Sequence, residues 1–331
     1  CQPHRRLYSR CLSCALEELN RKVPPALIHT AQAATENRAI GLALALLGAV
    51  AFSGKAIIVK LAYRYGVDAV TLIMYRMLFA LPLFAAMAWW ASRGKAALTP
   101  RDRLGVLGLG FSGYYLASFL DFAGLAHITA SLERLILYLN PTLVLLLGWA
   151  LYGRGVRWGQ MLGMVVSYCG VALVFGQEAA HQGPGAAWGT LLVLGSAVSY
   201  AAYLVYSGEM VQRLGSLRLV GLATTVACLL CLLQFALLRP WSAALVAPEV
   251  IWLSVLNATL CTAVPVLMVM MAIERIGASA ASQAGMAGPM ATILMGVWLL
   301  GEPFTAGVAL GTALVIAGIF VFSRASGTAR V

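Results

Sequence analysis

The chain has 331 residues, of which 61% are hydrophobic and only 11% are charged, and its mean hydropathy is +0.86. A soluble globular protein of this length is not so apolar, so the chain is predicted to be an integral membrane protein. The net charge of +11 does not indicate nucleic-acid binding. The Lys and Arg residues lie between apolar segments and form no basic patch with interleaved aromatic residues.

Residues 1–37 precede the first long apolar segment. They contain Lys and Arg residues and a Pro24-Pro25 pair, but no apolar run of signal-peptide length. The chain begins with Cys rather than Met, which indicates a fragment, a processed form or an incorrect gene boundary. We predict a weakly ordered cytoplasmic tail, which is disordered or spurious.

Ten apolar segments follow, each long enough to cross a hydrocarbon core of roughly 30 Å. They are residues 40–62, 69–91, 104–125, 129–151, 156–176, 186–207, 217–238, 250–272, 279–300 and 304–323, here called spans 1 to 10. The polar breaks between them are short, so no soluble domain is expected to carry separate chemistry. The predicted fold is an all-α integral membrane protein with ten transmembrane helices.

The sequence is repeated at an offset of 148 positions. Residues 40–175 (spans 1 to 5) recur as residues 188–323 (spans 6 to 10), and the offset relates Pro141 to Pro289 and Gly153 to Gly301 without a gap. Because each half contains five spans, the second half must enter the membrane from the opposite side. We therefore predict two inverted five-helix repeats, related by a pseudo-two-fold axis in the membrane plane.

The distribution of basic residues predicts the orientation. With the N-terminus inside, 17 of the 23 Lys and Arg residues lie on the inner side, against only Arg64 and Arg239 in the outer loops. This bias predicts that both termini are cytoplasmic.

Six ionisable side chains lie within the spans of the first repeat, where each costs roughly 2.5 to 3.5 kcal/mol to insert. Counting from the span ends places all six in the outer half of the membrane. They are Lys55, Lys60, Arg76, Asp121, Glu133 and Arg134. The positions of the second repeat that correspond to Lys55, Asp121, Glu133 and Arg134 are neutral, namely Tyr203, Val269, Ala281 and Ser282.

Two interpretations of these charges remain open. Asp121 and Glu133 could pair with Arg76, Arg134 or Lys55 and only tie spans 1 to 4 together, although desolvation offsets most of the Coulomb energy of such pairs. Alternatively, the surplus cations line a water-filled outer vestibule or bind a substrate carboxylate, with Asp121 or Glu133 as a proton-coupling group if burial stabilises its protonated form. These five residues are the candidate substrate-binding or coupling residues.

Pro residues lie in the middle of spans 4 and 9, where each removes a backbone hydrogen bond. We predict helix breaks at Asn140 and Pro141 and at Gly288 and Pro289, near a transport site at the midplane. Packing adjustment is the alternative use of such Pro residues.

Two Gly-x-x-x-Gly motifs, Gly159 with Gly163 and Gly307 with Gly311, lie on spans 5 and 10. We expect these spans to pack against each other or along the seam between the halves rather than to form a dimer contact. Leu at Gly163 or Gly311 is expected to lower the folded yield more than Leu at Gly105.

The sequence lacks the motifs of membrane enzymes and metal centres. No His lies within a span, and there is no HExxH, no GxSxG and no paired intramembrane Asp. The pairs Cys11-x-x-Cys14 and Cys228-x-x-Cys231 lack further ligands at zinc spacing and are interpreted as small apolar side chains. We therefore expect no enzyme chemistry, no metal and no cofactor.

The pattern of a mid-span Pro, a small tight turn and a Gly-rich last span recurs in both halves. It comprises Leu139-Asn140-Pro141 through Gly163 and Gly170, and Gly288-Pro289 through Gly301-Glu302, Gly311 and Gly318, together with Tyr75-Arg76-Met77 in span 2. Each half thereby resembles an EamA domain of the drug/metabolite transporter superfamily, over about residues 40–323. The chain departs from the family pattern at Arg154, where the first repeat usually has an acidic residue after the Gly.

This resemblance implies a secondary transporter in an inner membrane of the bacterial type, which exports a small metabolite, amino-acid-like or another small organic solute, by alternating access. The expected partners are this substrate, the lipid bilayer and protons as coupling ions, and the protein is expected to be a monomer or a weak homodimer. The competing hypothesis is a membrane-embedded enzyme or a scaffold without transport activity.

Overall fold

The computed structural model describes residues 25–153, 155–182, 184–269, 271–272, 275–276 and 288–327, and all regular secondary structure in these ranges is helical. The helices are α1 (Pro25–Tyr63), α2 (Ala69–Ser92), α3 (Pro100–Leu125), α4 (Ala130–Leu137), α5 (Asn140–Tyr152), α6 (Trp158–Gln182), α7 (Pro184–Leu214), α8 (Ser216–Leu238), α9 (Pro248–Val269), α10 (Gly288–Met295, continued by the π-helical Gly296–Leu300) and α11 (Ala306–Gly327). A short 3-10 helix, Trp241–Ala244, lies between α8 and α9.

Eight helical segments of the described chain are long and apolar enough to cross a membrane, with α4 and α5 counted as one interrupted span. Two shorter apolar helices, Met290–Leu300 and Ala306–Phe322, lie where spans 9 and 10 are predicted. The prediction of an all-α membrane protein is therefore confirmed.

The first helix is longer than the sequence pattern predicts. It begins at Pro25 and continues into span 1 without interruption, so residues 25–37 are helical. A Pro in the first turn is compatible with this start, because its missing N–H would have no intrahelical acceptor there. Residues 1–24 lie outside the described ranges.

Local sequence signals set several of the helix ends. The Asp68 side chain accepts hydrogen bonds from the backbone N–H groups of Val70 and Thr71, at 3.0 and 3.3 Å, and so caps α2. Gly153 and Gly301 end α5 and α10 in the left-handed conformation, with φ of 61° and 72°. Because these two Gly residues are related by the repeat, similar tight turns follow spans 4 and 9.

Three spans contain π-helical segments, which the sequence pattern does not predict. They are Gly110–Leu116 in α3, Thr259–Ala263 in α9 and Gly296–Leu300 in α10. The first two occupy corresponding positions of the two repeats. Such segments often occur at functional sites, because they redirect side chains along a helix.

Helices α6 and α11 approach each other closely across the boundary between the halves. A Cβ added to Gly163 would lie 2.6 Å from the carbonyl oxygen of Gly318, and one added to Gly311 would lie 2.7 Å from that of Gly170. The two spans therefore pack against each other, as the Gly motifs predict. Gly159 and Gly307 lie on the same contact but face side chains, those of Ala325 and Gln177.

The contacts between the halves exchange under the repeat offset. Gly41 packs against the side chain of Ile276, and Gly189 packs against that of Ile128. Adding 148 to Gly41 and Ile128 gives Gly189 and Ile276, so each contact is the counterpart of the other. The exchange of Gly163–Gly318 with Gly311–Gly170 follows the same rule. The two five-span units are thus inverted repeats related by a pseudo-two-fold axis.

We predict that Gly163→Leu and Gly311→Leu each lower the stability of the folded protein by about 1 to 3 kcal/mol, because the new side chain overlaps a backbone carbonyl. The measurement is the thermal unfolding midpoint of purified protein in detergent. Gly105 is not a suitable control, because its Cβ would lie 2.5 Å from the Met210 Sδ. Gly108 has open space at its Cβ position, so Gly108→Leu is the control. Equal midpoints for all three variants would contradict the packing argument.

A second prediction concerns orientation in the membrane. A reporter domain that is active only in the cytoplasm is inserted at Lys95, and one that is active only outside is inserted at Gln182. We expect a cytoplasmic signal at Lys95 and an external signal at Gln182. A cytoplasmic signal at Gln182 would contradict the predicted topology.

Candidate functional site

Four of the five candidate side chains meet in the interior and are here called the charge cluster. Lys55 of α1 donates a hydrogen bond to Asp121 of α3, and its Nζ lies 3.3 Å from the Oε1 of Glu133 of α4. The Nε of Arg134 lies 3.9 Å from the Oε2 of Glu133. The four side chains are between 0 and 8% exposed. Lys55 therefore lies between two carboxylates, and the cluster is neutral when all four groups are ionised.

Arg134 links the charge cluster to the second repeat. Its Nε donates to the hydroxyl of Thr292 in α10 at 2.9 Å. The same hydroxyl donates to the carbonyl oxygen of Gly288 at 3.2 Å. Ser53 of α1 donates to the same carbonyl at 2.8 Å. Gly288, one of the predicted helix-break residues, is the first residue of α10 and is bound to α1 through Ser53. The described part of span 9 begins at this residue, and residues 277–287 lie outside the described ranges.

The fifth candidate, Arg76 of α2, is buried without an ion pair to any described residue. The sequence allows Asp121 to pair with Arg76, but Asp121 binds Lys55 instead. The Nε and Nη2 of Arg76 donate to the hydroxyl of Thr262 in the π-helical part of α9, at 3.3 and 3.1 Å. Its guanidinium lies 5.2 Å from the centre of the Phe122 ring, and its Nη1 has no hydrogen-bond partner. The ring offsets only part of the cost of burying this charge.

Lys60, the sixth charge within the spans of the first repeat, does not join the cluster. Its Nζ donates to the backbone carbonyls of Leu125 and Ile128, at 3.2 and 2.8 Å. These carbonyls belong to the end of α3 and the turn that follows it. Lys60 therefore ties α1 to that turn. Without it, the candidate residues comprise three cations and two carboxylates.

The helix that carries Glu133 and Arg134 is short because span 4 is interrupted. Helix α4 ends at Leu137 and α5 begins at Asn140, with Pro141 in its first turn. Pro cannot donate a backbone hydrogen bond to the preceding turn, so the interruption lies directly before it. The buried Oδ1 of Asn140 has no hydrogen-bond partner. Glu133 and Arg134 thus lie on an eight-residue segment that is separate from the rest of the span.

The expected outer vestibule is not open in this conformation. The five candidate residues are all buried. Their burial arises because side chains from both repeats cover them: Thr262 and Thr292 from the second, Phe52 and Phe122 from the first. The Phe52 ring lies 5.9 Å from the Lys55 Nζ and 5.7 Å from the Arg134 guanidinium. None of these two Thr and two Phe residues is predicted from the sequence, because isolated Thr and Phe residues in apolar spans carry no distinguishing pattern.

The neutral counterpart of the charge cluster is a group of Tyr residues. Tyr203, which corresponds to Lys55, packs against Tyr114, with ring centres 5.2 Å apart and hydroxyl oxygens 3.3 Å apart. Tyr200, which corresponds to Phe52, stacks on Tyr203 at 5.5 Å. The position that carries the cation Lys55 in the first half therefore carries the aromatic Tyr203 in the second half.

Neither group of residues forms a metal site. Within the described ranges there is no set of three or more His, Cys, Asp or Glu residues placed to hold a metal ion. Among the described candidate residues, the charged groups present are two carboxylates, two cations paired with them and the unpaired Arg76 guanidinium.

Comparison with known proteins gives two matches along the chain. The profile of the EamA-like transporter family matches residues 39–176 and again residues 187–324. Among curated proteins, the chain is similar to the uncharacterized transporter YcbK of Bacillus subtilis (strain 168), with 30% identity over 285 residues, covering 82% of this chain and 88% of YcbK. It is also similar to the uncharacterized transporter YetK of the same organism, with 22% identity over 286 residues, covering 85% and 86%.

A solved crystal structure shares the fold. It aligns with a TM-score of 0.56 at 21% identity, covering 87% of this chain and 98% of the other. At this identity, the likeness concerns the fold alone.

The charge cluster generates a prediction about stability. Lys55→Met should cost about 3 to 5 kcal/mol, because it leaves two buried carboxylates with one cation, whereas Lys55→Met combined with Asp121→Leu should recover most of this loss. The measurement is again the unfolding midpoint in detergent, with the exposed Lys95→Met as control. A double variant no more stable than Lys55→Met would show that the buried pair is not coupled.

Proposed function

The chain belongs to the EamA-like transporter family, and on that premise we propose that it is an inner-membrane secondary transporter that exports a small metabolite by alternating access. The observation that supports this proposal is the burial of five charged side chains where the two inverted repeats meet. Arg76 binds Thr262 and Arg134 binds Thr292, so each of these contacts joins the two halves. A rocking motion of one half against the other would separate them and hydrate the charges.

We propose that the substrate is amino-acid-like and carries a carboxylate. Arg76 is the group best suited to bind it, because it is buried, has no carboxylate partner among the described residues and keeps Nη1 free of hydrogen bonds. A planar guanidinium can donate two parallel hydrogen bonds to a carboxylate. Binding would replace the weak contact with the Phe122 ring by a charge pair.

We propose protons as the coupling ions, with Asp121 or Glu133 as the group that carries them. Lys55 contacts both carboxylates, so it can neutralise only one of them fully. A proton on the other carboxyl would leave the five site charges with a larger surplus of cations, which a bound substrate carboxylate would balance. A substrate that adds or removes charge would then change the proton occupancy of the pair.

The proposed setting is an inner membrane with both termini in the cytoplasm. This rests on the concentration of Lys and Arg on one side of the predicted spans. In this orientation the charge cluster lies in the outer half of the membrane and the Tyr group in the inner half. A scaffold or a membrane-embedded enzyme is the competing hypothesis, and neither requires the buried charges to bind a solute that crosses the membrane.

Transport assays of Arg76 variants test the proposal. In proteoliposomes, Arg76→Met should lower the saturable flux of a labelled amino-acid-like substrate, found by screening zwitterionic and anionic metabolites, by about 10- to 100-fold. This range corresponds to loss of charge-assisted hydrogen bonds worth about 1.5 to 3 kcal/mol. Met is the chosen replacement because it preserves much of the apolar contact of the Arg stem. The flux is normalised to the amount of folded protein.

Arg218 provides a matched control. It is also a buried Arg at the start of a span, where it donates to the Ser92 hydroxyl at 3.1 Å and the Ala96 carbonyl at 2.9 Å. Arg218→Met removes a buried guanidinium far from the charge cluster in sequence and should leave the apparent affinity for substrate unchanged. Unchanged flux in Arg76→Met, or absence of saturable flux for every solute in the unmodified protein, would contradict the proposal.

A further inference from the structure

Glu302 forms a contact between the repeats that the proposed site does not use. It lies in the turn between α10 and α11, and its Oε1 accepts a hydrogen bond from the backbone N–H of Ala130 at 2.7 Å. Its Oε2 accepts from the backbone N–H and the hydroxyl of Ser131, at 3.2 and 2.7 Å. A carboxylate at this position is favoured by the partial positive charge of the α4 N-terminus. The second repeat thus holds the first turn of the helix that carries Glu133 and Arg134.

The surrounding backbone is shaped for this carboxylate. A Cβ added to Gly296 would lie 2.7 Å from the Glu302 Oε2, so only Gly leaves room for the side chain to reach α4 without displacing it. The left-handed Gly301 reverses the chain directly before Glu302. A second bond joins the repeats at the same end, since Arg64 of the α1–α2 turn donates to the Leu300 carbonyl at 3.0 Å.

The corresponding contact cannot form in the same way at the other end of the bundle. The offset of 148 relates Ala130 and Ser131 to Ala278 and Ser279, so this residue pair is preserved in the sequence, but it relates Glu302 to Arg154. An Arg side chain has no acceptor for backbone N–H groups. The position that corresponds to Glu302 therefore supplies no carboxylate, and the carboxylate cap at α4 lies at the end that the proposed topology places outside.

We propose that Glu302 is the outer latch of the transport cycle. Its carboxylate positions α4, and through α4 the buried Glu133 and Arg134, while the site is closed to the outside. Outward opening requires that it release Ala130 and Ser131. The break at Tyr138 and Leu139 allows α4 to move as a short unit when that happens. This inference rests on the proposed alternating access, and its test distinguishes the two.

Cys261 offers a reporter that needs no substrate. It is 5% exposed and lies in the π-helical part of α9, next to Thr262, which holds Arg76. Its Sγ lies 3.1 Å from the Cβ position of Gly54, the neighbour of Lys55. The probe is an anionic, membrane-impermeant methanethiosulfonate added to the outside of right-side-out vesicles. Labelling that disappears in Cys261→Ala reports outward opening of the site.

We expect Glu302→Gln, Glu302→Ala and Gly296→Ala to label Cys261 faster than the unmodified protein. The expected increase is about 2- to 30-fold, the range given by loss of one helix cap. Glu302→Gln should have the smallest effect, because the amide keeps one acceptor oxygen, and it carries the test if Glu302→Ala fails to fold. Glu249→Gln is the control, because Glu249 is an exposed carboxylate in the first turn of α9 at the same end of the bundle. It should label at the unmodified rate.

Joining positions 131 and 302 provides the opposite perturbation. In Ser131→Cys with Glu302→Cys, a short bifunctional thiol cross-linker should reduce the outside labelling of Cys261 to background, and cleavage of the cross-link should restore it. Equal labelling rates in the unmodified protein and the Glu302 variants, or undiminished labelling of the cross-linked protein, would overturn the latch alone. No outside labelling of Cys261 in any variant would overturn alternating access at this site, and the latch with it.

Discussion

Burying five charges inside a membrane protein costs free energy, and the packing of the helices around them depends on how their partners offset this cost. An ion moved from water to a dry interior loses several kcal/mol of hydration, and its partners recover this only with good geometry. Lys55 meets this requirement by contacting both Asp121 and Glu133, which fixes the relative positions of α1, α3 and α4. Arg76 meets it only in part, through Thr262 and the Phe122 ring. The cluster is therefore a strong constraint on packing, and the unpaired Arg76 guanidinium is the basis for the proposed binding of a substrate carboxylate.

The inverted repeats share a backbone plan but not a chemistry. Corresponding residues make corresponding contacts, as in the exchange of Gly163–Gly318 with Gly311–Gly170. Yet Lys55 corresponds to Tyr203, and Glu302 corresponds to Arg154. In the proposed alternating access, the backbone symmetry would supply two related conformations, one open to each side, and these substitutions would make them unequal in energy. In the proposed function, the ionic half binds the charged end of a solute and the aromatic half provides a less polar route.

The sequence predicted the spans, the inversion and the close contact of α6 with α11, because apolar length and Gly spacing follow directly from membrane thickness and helix geometry. It identified Lys55, Asp121, Glu133 and Arg134 as unusual, because any charge in a span is costly. It could not choose the partner of Asp121, since Lys55 and Arg76 lie at similar depth. It also missed Thr262 and the π-helical segment that carries it, because that segment widens the helix without a Gly, Pro or charge to mark it.

In the proposed transport cycle, the buried site opens to each side of the membrane in turn. Thr292, fully buried and bonded to Arg134, is a suitable position to measure this. In a Cys261→Ala background, Thr292→Cys should be labelled by an impermeant thiol reagent added outside, and also by the same reagent added only inside. Substrate or a conformational lock that favours one side should raise one rate and lower the other. Labelling from a single side under all conditions, or from neither, would contradict the account.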